Sequence, residues 1–387
     1  MPWDSLTGEQ REIRELVRTL ARERIAPRAA AIDESHEFPW DVVELYREHG
    51  VFGLLQDVRF GGTGTGALLA LVVIEEIAKV CATSGLILAV QELGSLGLKL
   101  AGSAEQQERW LPKLASGEVL CAYALTEAGS GSDSAAMRTT ARRDGDEYVL
   151  DGSKRFITNA GVAGLYTVFA KTDPDAGHAG ISAFLVEADA PGFEVARLEA
   201  KLGIAGSTTG ELVFAGCCVP ATNLIGSEGE GFRIAMRILD RSRPSVAAQA
   251  LGIAQGATDY ALEYARTRET MGKPIAEHQL IAAKLADMET KTEAARGLLY
   301  RFGRMVDEGA PDAELTKAGA MAKLYCADVA MEVTTEAVQI LGGYGYTKEY
   351  PVERFMRDAK ITQIYEGTQE IQRLVIAREM LKGQQVG

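Results

Sequence analysis

A glutamate beside a glycine and a threonine is the group in this sequence best suited to chemistry. Glu366 precedes Gly367 and Thr368 in the stretch 357–373, which reads RDAKITQIYEGTQEIQR. A threonine hydroxyl can accept from the free N–H groups at a helix start, so Glu366 is predicted to lie on a loop before a helix. The apolar side of that helix would carry Ile371, Leu374 and Val375. A carboxylate on such a loop can act as a general base, although the helix dipole alone also favours a glutamate there.

The composition limits the class of protein. The 387 residues are 47% hydrophobic and 25% charged, which is typical of a soluble globular protein of two or three domains. The net charge of −13 argues against a nucleic acid partner. A local cluster of cations and helix N-termini could still bind a small anionic ligand.

Disulfides, metal sites and membrane segments are not expected. The five cysteines lack a C-x-x-C spacing and the four histidines lack metal-ligand spacing, which predicts reduced thiols, a cytoplasmic setting and no zinc. The longest apolar run, residues 67–74, is far shorter than a membrane span. The acidic N-terminal stretch MPWDSLTGEQREIREL differs from a signal peptide.

Residues 1–119 are predicted to form a helical domain. Thr7 and Gln10 are a capping-box pair at the start of the first amphipathic helix, and Pro27 is expected to end that helical pattern. Residues 67–79 are apolar on nearly every side, which is typical of a buried helix.

Residues 120–230 are predicted to form a β-domain. Asp144-Gly145 and Asp151-Gly152 are typical of hairpin turns and flank a short strand. Further short strands are expected at 166–171, 181–187, 193–197 and 211–214. Several short strands at this spacing predict a small antiparallel barrel or sandwich.

Residues 231–387 are predicted to form a helical bundle. Helical periodicity runs through 245–266, 278–304 and 315–341, and each stretch is long enough for a four-helix bundle. Asp240 to Arg243 are expected between a helix end and Pro244, where such a charged cluster is usually a solvated corner.

Two glycine-rich stretches, 62–66 and 129–132, lack the flanking strand and helix of a nucleotide-binding βαβ unit. The segment 123–132, YALTEAGSGS, has another interpretation beside that of a tight loop between strands. Its small residues would let backbone N–H groups approach a planar or charged ligand, and Thr126 adds a hydroxyl that could bond ring heteroatoms.

The sequence of these segments closely resembles that of the acyl-CoA dehydrogenase family. IYEGT around Glu366 is similar to the family's C-terminal signature, and the segment containing Thr126 is similar to its T-E-x-G-x-G-S-D motif. The helical, β, helical order also matches, so that the resemblance spans nearly the whole chain. It implies an α+β multidomain fold with an N-terminal α-helical domain, a central antiparallel β-barrel or sandwich domain and a C-terminal four-helix bundle.

The resemblance also implies a reaction. An acyl-CoA thioester would be dehydrogenated to the 2-enoyl-CoA, with Glu366 removing the α-proton and FAD taking the β-hydride. An electron-transferring flavoprotein would accept the electrons. Ser242 occupies the position where some branches of the family carry the catalytic glutamate, which is consistent with Glu366 as the only base.

The remaining site residues are implied by the resemblance alone. Contacts with FAD are expected from Tyr123, Leu125, Thr126, Gly131, Ser132, Phe156, Ile157, Thr158, Thr368 and Glu370. Phe156 replaces the family's more usual tryptophan against the flavin face. From the neighbouring subunit, FAD contacts are expected from Arg268, Met271, His278, Gln279, Gln339, Ile340, Leu341, Gly342 and Gly343. Sharing the cofactor in this way implies a homo-oligomer, a tetramer built as a dimer of dimers. Substrate contacts are expected from Ser132, Asp240, Arg243, Tyr365, Glu366 and Gly367.

Three differences from the usual sequence of the family leave the substrate class open. Residues 57–60, DVRF, replace the usual P-E-E-Y, Ala205 stands where arginine is frequent, and Met271 replaces phenylalanine. Acyl length and branching are not predicted. The alternatives are an acyl-CoA oxidase or flavin monooxygenase on the same scaffold, and an acyl-CoA-binding protein without turnover. Retention of Glu366 argues against the monooxygenases, which lack that base.

Overall fold

The computed structural model describes residues 6–382. Residues 1–5 and 383–387 lie outside the described residues, and with them the first part of the stretch expected to differ from a signal peptide. Six α-helices of the described chain precede the sheet: α1 (Gly8–Leu20), α2 (Ala29–Ser35), α3 (Trp40–Glu48), α4 (Ala67–Ala78), α5 (Ala82–Ala101) and α6 (Ala104–Ser116). The Thr7 hydroxyl accepts from the Gln10 N–H and Gln10 Oε1 accepts from the Thr7 N–H, which confirms the predicted capping pair.

Pro27 does not end the first helical stretch, contrary to the prediction. The chain continues from α1 through a π-helical turn, Ala21–Ile25, and a 3₁₀ turn, Ala26–Arg28, into α2. Pro27 lies in the first turn of the 3₁₀ segment, where its missing N–H leaves no interior hydrogen bond unmade. The helical path therefore continues through the proline instead of stopping.

The central domain is built on one eight-stranded sheet. Its strands are β1 (Cys121–Ala124), β2 (Thr140–Asp144), β3 (Glu147–Thr158), β4 (Leu165–Lys171), β5 (Ile181–Glu187), β6 (Phe193–Leu198), β7 (Thr209–Pro220) and β8 (Leu224–Ile225). They follow the order β6-β7-β3-β2-β4-β5-β8, and β1 pairs with β4. Most pairings are antiparallel as expected, but β1 and β2 both run parallel to β4.

Only the first of the two expected hairpin turns forms. Asp144 pairs with Glu147 across the tight β2–β3 turn. Asp151-Gly152 lies inside β3, at a register shift against β7. Gly152 has φ 143°, and a Cβ there would lie 2.7 Å from the Thr139 Cα, so the glycine permits a bulge and close packing instead of a chain reversal.

The C-terminal part of the described chain is helical. Its elements are α7 (Gly231–Thr267), a small hairpin of β9 (Glu269–Thr270) and β10 (Lys273–Pro274), α8 (Gln279–Asp307), α9 (Asp312–Leu341), α10 (Val352–Thr362) and α11 (Gln369–Leu381). The predicted sequence of a helical, a β and a helical region is confirmed.

Asp240 to Arg243 do not form a corner, which corrects another expectation. They lie within α7, which continues through Pro244. Close packing explains why, because a Cβ at Gly319 of α9 would lie only 3.4 Å from the Asp240 carbonyl oxygen and 3.5 Å from Pro244 Cγ. The neighbouring helix supports α7 across the proline, so Ser242 and Arg243 point into the protein, where they are 0% and 4% exposed.

Three apolar cores hold the regions together. The largest joins the N-terminal helices to the bundle, for example Ile74 with Leu251. A second joins α5 and α6 to the sheet and the start of α7, for example Leu98 with Ile238. The third lies within the sheet domain, around Phe214. Helices α5 and α7 thus contact all three regions.

No helix among residues 6–382 has the length and apolarity needed to cross a bilayer.

Candidate active site

The loop between α10 and α11 carries Glu366, as the sequence predicts. Glu366 and Gly367 both adopt left-handed backbone conformations, with φ of 51° and 92°. Thr368 is the N-cap of α11, and its hydroxyl accepts from the Ile371 N–H at 3.4 Å. A left-handed non-glycine residue is strained and persists only where its surroundings impose it, which is a feature common at functional sites.

Three side chains impose this turn. Gln372 Nε2 donates to the carbonyl oxygens of Glu366, at 3.2 Å, and Gly367, at 2.9 Å. Lys323 Nζ, which comes from α9, donates to the same Gly367 oxygen at 2.7 Å. Gln369 Nε2 donates back to the Leu324 carbonyl of α9 at 2.7 Å. These hydrogen bonds attach the turn to α9 and to the first turns of α11.

The inward side of α11 is more polar than its sequence pattern indicates. Gln372 is fully buried and Val375 is 8% exposed, whereas Leu374 is 66% exposed. The helix thus uses Gln372, not an apolar side chain, where it meets the turn formed by Glu366 and Gly367.

The Glu366 carboxylate lies in a polarised pocket. Ser242 Oγ, from α7, donates to Glu366 Oε2 at 2.5 Å. Burial raises the pKa of Glu366 above its ordinary value, while the Ser242 hydroxyl and the cations Lys323 and Arg243 act in the opposite direction. A carboxylate whose pKa is raised towards neutrality is a better general base than a free one.

Arg243 is anchored beside the carboxylate. Its Nη1 donates to Asp240 Oδ1 at 2.5 Å, and Asp240 Oδ2 accepts from the Thr316 hydroxyl at 2.8 Å. The Arg243 Nε is buried and has no hydrogen-bond partner among residues 6–382. A buried donor is expected to find a partner, so this N–H is free for a bound molecule.

Two tyrosines enclose the pocket. Tyr123 of β1 donates from its hydroxyl to the Ala235 carbonyl of α7 at 3.5 Å, and burial followed by the Glu366 charge raises its pKa. The Tyr365 hydroxyl donates to Gln249 Oε1, and Gln249 Nε2 donates to the Ala82 carbonyl at 2.9 Å. Glu366 therefore lies where the sheet, α5 and α7 converge.

The segments expected to border the flavin are next to each other. The Arg155 N–H donates to the Thr126 carbonyl at 2.8 Å, so that Thr126 lies alongside the end of β3. Phe156 has φ 59° and is 57% exposed at a register shift of β3, whereas Ile157 is buried and Thr158 is partly buried. Leu125 is buried, and Gly131 and Ser132 are exposed on the following loop.

An ion pair that sequence reasoning missed holds this loop. Lys154 is 0% exposed, and its Nζ donates to Glu127 Oε1 at 2.7 Å and to the Leu125 carbonyl at 3.2 Å. Glu127 also accepts from the Arg138 N–H at 2.6 Å and from Thr139. A lysine at an inward strand position was the signal for this pair, because a buried cation needs a partner.

The loop between β6 and β7 lies against α10. The Ile204 N–H donates to Asp358 Oδ1 at 2.5 Å, and Ile204 has φ 46°. A Cβ at Gly203 would lie 2.4 Å from the Arg357 carbonyl oxygen. Ala205, one of the differences from the usual sequence of the family, lies in this same loop.

The residues expected to serve a neighbouring subunit lie on a separate surface. The Arg268 guanidinium lies 5.6 Å from the Tyr344 ring centre, which brings the end of α7 beside the turn after α9. Met271 is 91% exposed with φ 52°, and a His278 ring nitrogen lies 3.2 Å from the Thr270 carbonyl. The exposed members also include Gln279, Gln339, Gly342 and Gly343, while Ile340 and Leu341 are buried. The described contacts of Glu366 come from α7, α9 and α11 instead of from this surface. Glu370 is exposed and Thr368 partly buried on the first turn of α11.

A cavity at the start of α7 was not anticipated. It measures about 510 Å³ and is lined in part by His178, Phe232, Arg233, Arg237 and Asp240. The His178 and Phe232 ring centres are 5.5 Å apart. The signal in the sequence was the spacing of the two arginines, which are four residues apart and so lie on one face of a helix.

A carboxylate on a strained loop and an exposed aromatic bulge of a central sheet are features that suit a flavoprotein dehydrogenase. Family models described as the acyl-CoA dehydrogenase N-terminal, middle and C-terminal domains match residues 7–118, 122–217 and 229–381. The chain therefore belongs to the acyl-CoA dehydrogenase family.

Individual relatives agree along the whole chain. The sequence is 50% identical over 376 residues to cyclohexane-1-carbonyl-CoA dehydrogenase of Geobacter metallireducens, covering 97% of this chain and 98% of the relative. The fold is similar to butyryl-CoA dehydrogenase from Megasphaera elsdenii, with TM-score 0.95, 42% identity and coverage of 98% and 99% of the two chains. It is equally similar to a chain in a structure of the electron transferring flavoprotein of Acidaminococcus fermentans, with TM-score 0.95, 44% identity and the same coverage.

The protein is an FAD-dependent acyl-CoA dehydrogenase, and its residues fit a flavin. The exposed face of Phe156 can cover an aromatic ring system. Thr208 Oγ1 is buried without a partner among residues 6–382, and the Thr208 carbonyl accepts from the Asn159 N–H near the end of β3. An orphaned hydroxyl near the end of β3 suits a ligand with ring heteroatoms.

Proposed function

We propose that Glu366 is the base that removes the α-proton of the acyl-CoA substrate. The observation that carries this proposal is the Glu366 carboxylate itself, which is partly buried, hydrogen-bonded by Ser242 and held on a strained turn. When bound, FAD supplies the acceptor for the β-hydride, so that the product is the 2-enoyl-CoA.

The residues around Glu366 influence its protonation state in two opposite directions. Burial raises the pKa of Glu366 and so strengthens it as a base, while Ser242, Lys323 and Arg243 favour its ionised form. The Glu366 N–H has no acceptor among residues 6–382. We assign this N–H to the thioester oxygen, where it would stabilise the negative charge that develops as the α-proton leaves.

The acyl group is proposed to be short or cyclic. Behind the carboxylate, Gln249 links Tyr365 to the start of α5 through its two hydrogen bonds. We propose that this link limits the space available between α5 and α7 to a long unbranched chain. Support comes from the two relatives named for cyclohexane-1-carbonyl-CoA and butyryl-CoA.

The CoA end of the substrate is proposed to occupy the cavity at the start of α7. Arg233 and Arg237 can pair with its phosphates, and the Phe232 ring can pack on its adenine. Asp240 borders this cavity and orients Arg243, whose free Nε–H points to a role with the substrate. Ser132, Tyr365 and Gly367 are the remaining residues that we assign to the substrate.

The flavin ring is proposed to lie against the paired segments that contain Thr126 and Phe156. The other ring contacts are assigned to Tyr123, Leu125, Gly131, Ser132, Ile157, Thr158, Thr368 and Glu370.

The surface around Arg268 is proposed to bind the diphosphate and adenosine of a neighbouring subunit's FAD. Its members are Arg268, Met271, His278, Gln279, Gln339, Ile340, Leu341, Gly342 and Gly343. Met271 is almost fully exposed at the tip of a tight turn in the single chain, which suits a residue that a partner covers. We therefore propose a homotetramer built as a dimer of dimers, which measurement of the mass in solution would test.

Electrons are proposed to leave through an electron-transferring flavoprotein. The support is the likeness to a chain in the structure of such a flavoprotein from Acidaminococcus fermentans. The cysteines, all free in the structure, suit a cytoplasmic protein. Domain boundaries are proposed between residues 119 and 120 and between 230 and 231.

The test of this function is an anaerobic titration of the flavin-loaded protein with acyl-CoAs of graded length and branching. Butyryl-CoA and cyclohexane-1-carbonyl-CoA should bleach the flavin faster than long unbranched chains. Oxygen consumption on adding acyl-CoA, without a flavoprotein acceptor, would identify an oxidase instead. Failure of every acyl-CoA to bleach the flavin would contradict the proposal.

A further inference from the structure

Helix α9 places a buried lysine next to the turn formed by Glu366 and Gly367. Lys323 is 0% exposed. Its Nζ donates to the Gly367 carbonyl at 2.7 Å and to Gln369 Oε1 at 3.1 Å. Both acceptors are neutral, and both belong to the few residues that follow Glu366 in the chain.

Two neutral acceptors do not account for a charged donor at this position. Burying an ammonium group is costly unless negative charge lies nearby, and a neutral amide could serve the same two acceptors. Burial lowers the pKa of Lys323 to about 7, and the charge of Glu366 is the foremost influence in the opposite direction. The ammonium is therefore stabilised chiefly by the carboxylate on the turn that it supports.

The other groups that face Glu366 are already engaged or uncharged. On α7, Ser242 donates to the carboxylate, and Arg243 is paired with Asp240. The hydroxyls of Tyr123, on β1, and Tyr365 are neutral, since burial raises both of their pKa values.

Two further carboxylates face Lys323. On α9, Asp328 accepts from the Gln363 and Gln369 amides. Glu370 lies exposed on the first turn of α11. Among residues 6–382, Lys323 has no carboxylate within ion-pair distance, and its hydrogen-bond partners are the Gly367 carbonyl and Gln369 Oε1.

We infer that Lys323 is a positioning residue for α-proton removal: it holds the Gly367 carbonyl so that Glu366 keeps its left-handed turn, and its charge keeps the carboxylate ionised. The inference rests on the proposed role of Glu366 as the base. It makes the turn and the protonation state of the base depend on a side chain that touches neither substrate nor flavin.

The test compares Lys323→Met, which removes both donor and charge, with Lys323→Gln, which retains a neutral donor. The matched control is Thr334→Val, a buried α9 substitution away from the turn, where the hydroxyl bonds only its own helix. Flavin content and Tm are recorded for each protein. Anaerobic flavin reduction by butyryl-CoA is then followed by stopped flow as a function of pH.

Lys323→Met should reduce the flavin at least tenfold more slowly at neutral pH, because the turn is no longer held. The acidic limb of its pH–rate profile should move to higher pH by about one unit, because an opposite charge near Glu366 is lost. Lys323→Gln should recover part of the rate but keep the shifted limb. Thr334→Val should leave the limb in place.

Infrared difference spectra give a readout that does not depend on turnover. The band of the protonated Glu366 carboxyl, assigned by its loss in Glu366→Gln, should persist to higher pH in Lys323→Met than in the parent protein. An unshifted band and an unshifted limb in both Lys323 variants would overturn the inference, even with a lowered Tm. The proposed function would fail separately, by normal flavin reduction in Glu366→Gln.

Discussion

Removal of the Ser242 hydroxyl should shift the pH dependence of catalysis without altering the shape of the site. Ser242 is fully buried, and its Oγ lies 2.5 Å from Glu366 Oε2. In Ser242→Ala the carboxylate loses this donor, and only one oxygen atom is deleted from the side chain. The pKa of Glu366, already raised by burial, should therefore rise further.

The magnitude follows from the geometry. A short hydrogen bond to a buried charge contributes about 1.5–3 kcal/mol. One pKa unit corresponds to about 1.4 kcal/mol, so the pKa of Glu366 should rise by roughly one to two units. A base must be ionised to act, so the acidic limb of the rate profile should move to higher pH by the same amount. Above the new pKa the rate should recover.

The assay is anaerobic stopped-flow measurement of flavin reduction by a saturating acyl-CoA over a series of pH values. Thr258→Val is the matched control, since Thr258 is buried on the same helix and its hydroxyl donates only to the Ala254 carbonyl. This variant should keep the wild-type limb. A Ser242→Ala limb that coincides with the wild-type limb would refute the assignment of the titrating group to Glu366.

Two other substitutions test separate parts of the site. Burial raises the pKa of Asp358 from 3.8 to about 7, so folding favours its protonated form and its contribution to stability is lost as pH rises from about 4 to 7. Asp358→Asn keeps an acceptor for the Ile204 N–H and should flatten the fall in Tm over this range; an unchanged fall would contradict the buried acid. Gln249→Ala should open the space behind Tyr365 and raise kcat/KM for a longer acyl-CoA relative to butyryl-CoA by a few-fold to tenfold, at about 0.8 kcal/mol per accommodated methylene. An unchanged ranking of chain lengths would show that Gln249 does not limit the acyl group.

The local features of this fold are readable from the sequence because they depend on neighbouring residues. The capping box of Thr7 with Gln10 and the N-cap at Thr368 both depend on positions three residues apart. The location of Glu366 on a loop before α11 follows directly from that cap. Such signals survive folding because the tertiary structure does not compete with them here.

The errors arise where packing overrides local preference. Pro27 and Pro244 look like helix ends, yet the chain continues past both. Pro27 lies in the first turn of a 3₁₀ segment, and α9 packs against α7 at Pro244. Gly152 looks like a turn, yet it serves the close approach of Thr139 to β3. A proline or glycine predicts a break only when nothing else in the structure fixes the backbone.

Sequence patterns could not identify the groups that contact Glu366 and its turn. Ser242 lies 124 residues before Glu366, and Lys323 lies 44 residues before Gly367. Neither has a motif of its own that names its partner. Their contacts with Glu366 and Gly367 depend on how α7 and α9 pack. Helical periodicity predicts only that each helix has an apolar face.

The role of Glu366 as the base is tested by comparing the parent protein with Glu366→Gln, both loaded with FAD and mixed anaerobically with butyryl-CoA. The amide keeps the size of the side chain and can still meet Ser242, but it cannot take a proton. We expect the variant to keep its flavin and bind the thioester, yet its flavin absorbance should stay unchanged while that of the parent bleaches. Bleaching of the variant at the parental rate would contradict the role of Glu366 as the base.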